Sequence, residues 1–165
     1  MALIVEDGSI VAGAESYISV ADATAYFAAR GNTVWSGLAS DTVREQLLRT
    51  ATDYMLGRYG LRWKGARVSE TQVLDWPREC AYANGFLIAS DSVPVAVQRA
   101  CAEYAVRASE GDLSPDLTPQ VKQETVGPIS VTYADGARQD TAYKALDAML
   151  SAYLQGMGGI PVIRA

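Results

Sequence analysis

Apolar residues recur at three- and four-residue steps through Ser90–Gly111, SDSVPVAVQRACAEYAVRASEG, and predict one long helix there. Val93, Val97, Cys101, Tyr104 and Ala108 form a stripe, and Val95, Ala96, Ala100, Ala102 and Val106 fill most of the remaining circumference. Only Arg99, Glu103, Arg107 and Glu110 draw a clear polar line. A helix apolar on nearly every side is buried on nearly every side, so this element is expected at the centre of the molecule. Ser92 or Asp91 is the expected cap, Pro94 is tolerated in the first turn, and Gly111 is a fitting stop.

The same periodicity places further helices around it. One is expected from Ser19, with Asp22 completing a capping box and Val20, Ala23, Tyr26 and Phe27 facing inward, ending at Gly31-Asn32. Trp35 falls in a short connection. A second helix is expected from Ser40 or Asp41 to about Arg58, burying Leu47, Leu48, Ala51, Tyr54 and Met55. Ser69 and Gln72 predict a short capped helix ending at Trp76, where Pro77 stops it. Asn84-Gly85 marks a tight turn, in a small hairpin or an extended crossing. Ile129, Val131 and Tyr133 alternate with Ser130 and Thr132, which predicts a β ribbon bent at Gly127-Pro128. A last helix begins near Asp140 or Thr141, with Tyr143, Leu146, Met149, Leu150, Tyr153 and Leu154 as its stripe.

The expected fold is therefore mainly α. A small helical bundle surrounds a long central helix, with a β ribbon before the last helix and extended arms at both ends. The 165 residues divide as one domain: an N-terminal arm at 1–18, the bundle at 19–111, the ribbon at 119–135, the last helix at 140–155 and a C-terminal arm at 156–165. Tyr54, Trp76, Val97, Cys101, Tyr104, Leu146 and Leu150 are the expected core. Trp76 is expected to anchor a buried corner, with a ligand pocket as the alternative.

Composition narrows the function. With 49% hydrophobic and 20% charged residues the chain is globular in type. There is no histidine, which removes Ser–His and Cys–His nucleophilic sites and ordinary zinc sites. No catalysis, metal or cofactor is expected. A net charge of −5 argues against a surface built mainly to neutralise phosphates. No apolar run is long enough to span a membrane, and the N-terminus lacks the basic start of a secretory signal. Cys80 and Cys101 are expected as free thiols in a reducing cytoplasm, Cys101 as an inert core residue.

One segment has the composition of a nucleic-acid contact. Residues 58–67, RYGLRWKGAR, mix Arg58, Arg62, Lys64 and Arg67 with Tyr59 and Trp63, cations for phosphate and rings for bases. The competing and preferred reading is a basic loop whose rings anchor it to the bundle and whose charges meet acidic partners. The tail Ile160-Pro161-Val162-Ile163-Arg164 follows the loosening glycines 156, 158 and 159, and it is either a frayed end or an arm that docks on a neighbour.

Several short stretches together resemble the head–tail connector (adaptor) proteins of tailed bacteriophages. They are Val5-Glu6-Asp7-Gly8, Ala14-Glu15-Ser16-Tyr17, Ala25 to Gly31, Ala51-Thr52-Asp53-Tyr54, Trp76-Pro77-Arg78, Val93-Pro94 and Glu124 to Val131, and they span almost the whole chain. The resemblance implies a non-enzymatic virion protein of the neck, assembled in the host bacterial cytoplasm. It implies a ring of copies, normally dodecameric, beneath the portal, receiving the stopper or a tail-completion protein and lining a channel for genomic double-stranded DNA. Ile160, Pro161, Val162, Ile163 and Arg164, with Val126, Ile129, Val131 and Tyr133 of the ribbon, are the expected portal or subunit interface. Many phage sequences of this pattern carry instead the label DnaT-like single-stranded DNA-binding protein. That replication role is the alternative function, and Arg58, Arg62, Trp63, Lys64 and Arg67 would serve it.

Overall fold

A computed structural model describes residues 2–116, 123–126, 129–132 and 141–156. Its elements are α1 (Val20–Ala28), α2 (Thr33–Ser36), α3 (Asp41–Tyr59), β1 (Ala66–Arg67), β2 (Arg78–Glu79), β3 (Tyr82–Ala83), β4 (Phe86–Leu87), α4 (Val95–Glu110), β5 (Gln123–Val126), β6 (Ile129–Thr132) and α5 (Lys144–Leu150). A 3-10 turn, Ser151–Tyr153, extends α5. The molecule is mainly helical, and among the described residues its sheets are three separate antiparallel pairs.

Local chemistry sets the helix starts. The Ser19 hydroxyl accepts the Asp22 amide at 3.0 Å and so caps α1, and it donates to the Asp22 carboxylate, a side-chain bond in place of the reciprocal backbone bond of a full capping box. Ser40 accepts the Val43 amide and opens α3. The long helix departs from expectation at its start. It begins at Val95, after Pro94, and neither Asp91 nor Ser92 caps it. The Pro94 carbonyl instead takes the amides of Val97 and Gln98, and the Ser92 hydroxyl turns back to the Ala89 carbonyl.

Helix α4 packs against α1, α3 and α5. Val97, Ala100, Cys101, Ala102, Tyr104, Ala105 and Val106 are buried on it, while Val95, counted at the sequence level among its apolar positions, is exposed. Leu48, Ala51, Thr52, Met55 and Tyr59 are the buried face of α3, and Leu146 and Leu150 that of α5. Tyr54 is half-buried, its ring 4.9 Å from that of Tyr104. Three helices are also joined by a polar clamp. The Tyr59 hydroxyl donates its one proton to Asp147 at 2.7 Å, so Tyr104, also at 2.7 Å, donates to Tyr59. Burial, together with these bonds, raises the pKa of Tyr59, and burial raises that of Tyr104.

Four other expectations are corrected. Residues 69–76 form turns, not a helix, because the Gln72 side chain is used differently. It accepts the Ser69 amide but donates to the carbonyls of Leu74 and Pro77, which curls the segment around itself. Residues 2–18 are not an extended arm. Val5 bridges Ser16 in parallel, and the buried Glu6 carboxylate collects the amides of Gly8, Ile10 and Val11. Ala14, Tyr17 and Ile18 then enter the core of their own bundle. Trp35 lies in the short α2 rather than in a connection, and α5 starts at Lys144 rather than near Asp140.

The ribbon pairs Gln123 with Thr132 through Val126 with Ile129, and Gly127-Pro128, where the bend is expected, lie outside the described residues. For Val126, Ile129 and Val131 the description is of backbone alone. Tyr133 and the tail Ile160, Pro161, Val162, Ile163 and Arg164 lie outside the described residues.

Candidate functional site

The basic segment follows α3 and turns inward. Trp63 is fully buried. Its indole packs 5.5 Å from the Tyr59 ring and 5.7 Å from that of Trp76, and its Nε1–H donates to Asp75 Oδ2 at 3.1 Å. Its backbone bridges Leu154, beyond the last helix. No face of this ring is open for a base.

Two of the four cations are hydrogen-bonded within the fold. Arg67 donates to Asp75 Oδ1 at 2.9 Å from Nη2 and at 3.3 Å from Nε. Lys64 Nζ reaches the Ala152 carbonyl at 2.8 Å. The Arg62 guanidinium stands 5.6 Å from the centre of the Tyr59 ring, and its Nε is buried with no hydrogen-bond partner among the described residues. Arg58 borders a shallow groove that Asp53 and Tyr54 also line, so opposite charges share it.

Asp75 is the pivot. It is buried, accepts from Trp63 and Arg67, and its own amide donates to the Tyr17 hydroxyl at 3.0 Å. Arg78, buried beside it, donates to the carbonyls of Lys64, Gly65 and Asp75 at 2.8, 2.8 and 3.1 Å. Burial lowers the pKa of Arg78 and raises that of Tyr17. Gly65 has φ +72°, and a Cβ there would collide with the backbone of Glu79 and Ala81. The loop is thus sealed against β2, and Trp76 is the expected buried corner, its Nε1 unpartnered among the described residues.

The surface that faces outward is one whose function the sequence does not announce. Strands β3 and β4 form a hairpin over Asn84-Gly85, both with positive φ, as the tight turn requires. Tyr82 is opposite Leu87, and Ala83 is opposite Phe86. Tyr82, Leu87 and Phe86 are 53%, 60% and 77% exposed. The signal was present as Asn-Gly between apolar pairs, but its short strands carry no alternation that would reveal which side is covered.

Among the described residues no cluster of acidic or thiol side chains is grouped to hold a metal, and no helix is long and apolar enough to cross a membrane. What fold and surface define is a mainly α domain with an inward-tied basic loop and an outward apolar hairpin. The chain belongs to the family described as "Putative DnaT-like ssDNA binding protein", whose model matches residues 1–165. No curated protein and no solved structure matches it.

Proposed function

We propose that this chain is a structural assembly protein of a tailed phage. In this reading it is a head–tail connector that forms a ring with its own copies beneath the portal, receives the stopper or tail-completion protein, and lets genomic DNA pass without sequence-specific contact. It acts in the neck of the virion after assembly in the host cytoplasm, with no catalysis and no cofactor. One contrast carries the proposal. The basic, aromatic segment is tied inward through Trp63, Arg67 and Asp75, while an apolar hairpin is left outward. Protein partners cover apolar surface, whereas a single-strand binder needs open rings in a basic groove. The net charge of −5 suits a channel wall along which DNA slides without sticking.

The second reading is single-strand binding in phage replication, and the family's description favours it over the connector. One pair of measurements separates the two. The connector reading expects purified protein mixed with portal to give a ring or collar in negative-stain images, and labelled single-stranded DNA to stay unbound at about 0.15 M salt, the physiological range. A tight complex with that DNA, weakening steeply as salt rises, and no collar on portal, would establish the second reading instead.

A further inference from the structure

We propose that the face shared by α1 and α4 is a contact for the backbone phosphates of duplex DNA, built from Arg30, Arg99 and Arg107 around Tyr26. It lies away from the basic segment 58–67, and it depends on neither a ring nor a portal. The three arginines are far apart in sequence, and folding gathers them. The Arg30 guanidinium stands over the Tyr26 ring, 3.7 Å from its centre, and that of Arg99 is 5.7 Å from the same centre. The Tyr26 hydroxyl donates to Glu103 Oε1 at 3.1 Å, and Arg107 Nη1 donates to Glu103 Oε2 at 2.8 Å. Glu103 is the one carboxylate bonded into the cluster among the described residues, so positive charge is in excess there, in a chain whose net charge is −5.

That charge is open to a partner. Arg30 and Arg99 are exposed and have no ion pair among the described residues, whereas Arg44, Arg49 and Arg67 are paired with Asp41, Glu15 and Asp75. Arg30 uses one N–H on the Tyr26 carbonyl at 2.9 Å, and the remaining donors of its flat fork suit phosphate oxygens. The other acids of the two helices, Asp22 and Glu110, lie a turn away from Tyr26 and Arg107 in sequence. The ring selects a duplex over a single strand. Arg30 lies over it, its hydroxyl is bonded and Phe27 packs at 5.0 Å, so it holds guanidiniums rather than stacking a base. What remains is charge, and a duplex carries one negative charge per roughly 1.7 Å of its axis, twice the density of either strand. Such contacts position DNA without reading its sequence.

The test titrates the full chain into a fluorescein-labelled duplex of mixed sequence, read by anisotropy. With two or three phosphates neutralised, affinity should fall roughly 10- to 40-fold between about 0.05 and 0.2 M salt. Arg30→Gln with Arg99→Gln should weaken binding about tenfold at the lower salt and flatten the salt slope, at an unchanged Tm. Arg30→Lys with Arg99→Lys should keep most of the binding, and Arg62→Gln with Lys64→Gln should bind as wild type does. Phenylglyoxal modification of the wild type needs no variant to fold: the duplex should protect Arg30 and Arg99, read by mass spectrometry. No binding at the lower salt, a glutamine variant that binds as wild type, or tighter binding of the single strand overturns the proposal. Polyglutamate that displaces the duplex as readily as unlabelled duplex does would assign the face to an acidic protein instead. A portal collar formed by a chain that ignores duplex sinks this inference and leaves the connector standing. Duplex binding by a chain that forms no collar does the reverse.

Discussion

The segments 58–67 and 79–88 lie close together in sequence and have opposite fates. The first carries four cations and two rings, yet Trp63 is buried and Arg67 and Lys64 are bonded to groups of their own domain. The second has only a short run of apolar residues around a turn, yet it places Tyr82, Phe86 and Leu87 in solvent. Composition describes what a segment could bind. Exposure is decided by distant partners, and here Asp75 and Arg78 decide it for the first segment.

The sharpest break of this contrast is Trp63→Ala. An indole packed between Tyr59 and Trp76 should cost about 3–5 kcal/mol when truncated, read from the urea midpoint. An unchanged midpoint would mean that the ring is a surface contact after all. Asp75→Ala comes next. It strands the Trp63 Nε1–H and releases a partly exposed Arg67, so a loss of about 2–3 kcal/mol is expected. Its double-mutant cycle with Arg67→Ala should show clear coupling, and additive losses would dismiss the pivot.

A gentler effect follows from the tyrosines turned inward. Tyr17, Tyr59 and Tyr104 have pKa values raised above the ordinary 10.0, so the folded state keeps protons that the unfolded chain gives up. Their contribution is complete below pH 10.0 and is lost as pH rises beyond it, so the Tm should fall progressively in that range. A Tm that is flat through pH 11, read with phenolate absorbance, would contradict their burial. The smallest effect belongs to the hairpin. Phe86→Ser should shift monomer stability by less than about 0.5 kcal/mol, since an exposed ring has little folded packing to lose. A larger loss would place the hairpin in the core and erase the difference between the two segments.

Much of the helical frame was legible because periodicity and caps are local: α1 from Ser19, α3 from Ser40 and the buried face of α4 all answer to neighbours within a turn or two. The hairpin turn was legible for the same reason, through Asn84-Gly85. What failed was long-range or ambiguous. The Ser69/Gln72 pattern serves a helix cap and a closed turn equally well, and the carbonyls of Leu74 and Pro77 decide between them. The N-terminal segment looked like an arm because its tether, three amides on Glu6, shows no periodicity, and its docking through Tyr17 onto Asp75 crosses 58 residues. In the basic segment Trp63 and Arg67 both bond to Asp75, a partner eight or more residues away that the segment's own composition does not show.

The two cysteines give the molecule an internal clock. Cys80 is exposed, whereas Cys101 is sealed between α3 and α4, its sulfur 3.3 Å from the Thr52 hydroxyl, and burial raises the pKa of its thiol. A thiol reagent should therefore mark the first site at once and reach the second only when the helices part. The lag between the two modifications measures how often the bundle breathes, without any substitution in the chain.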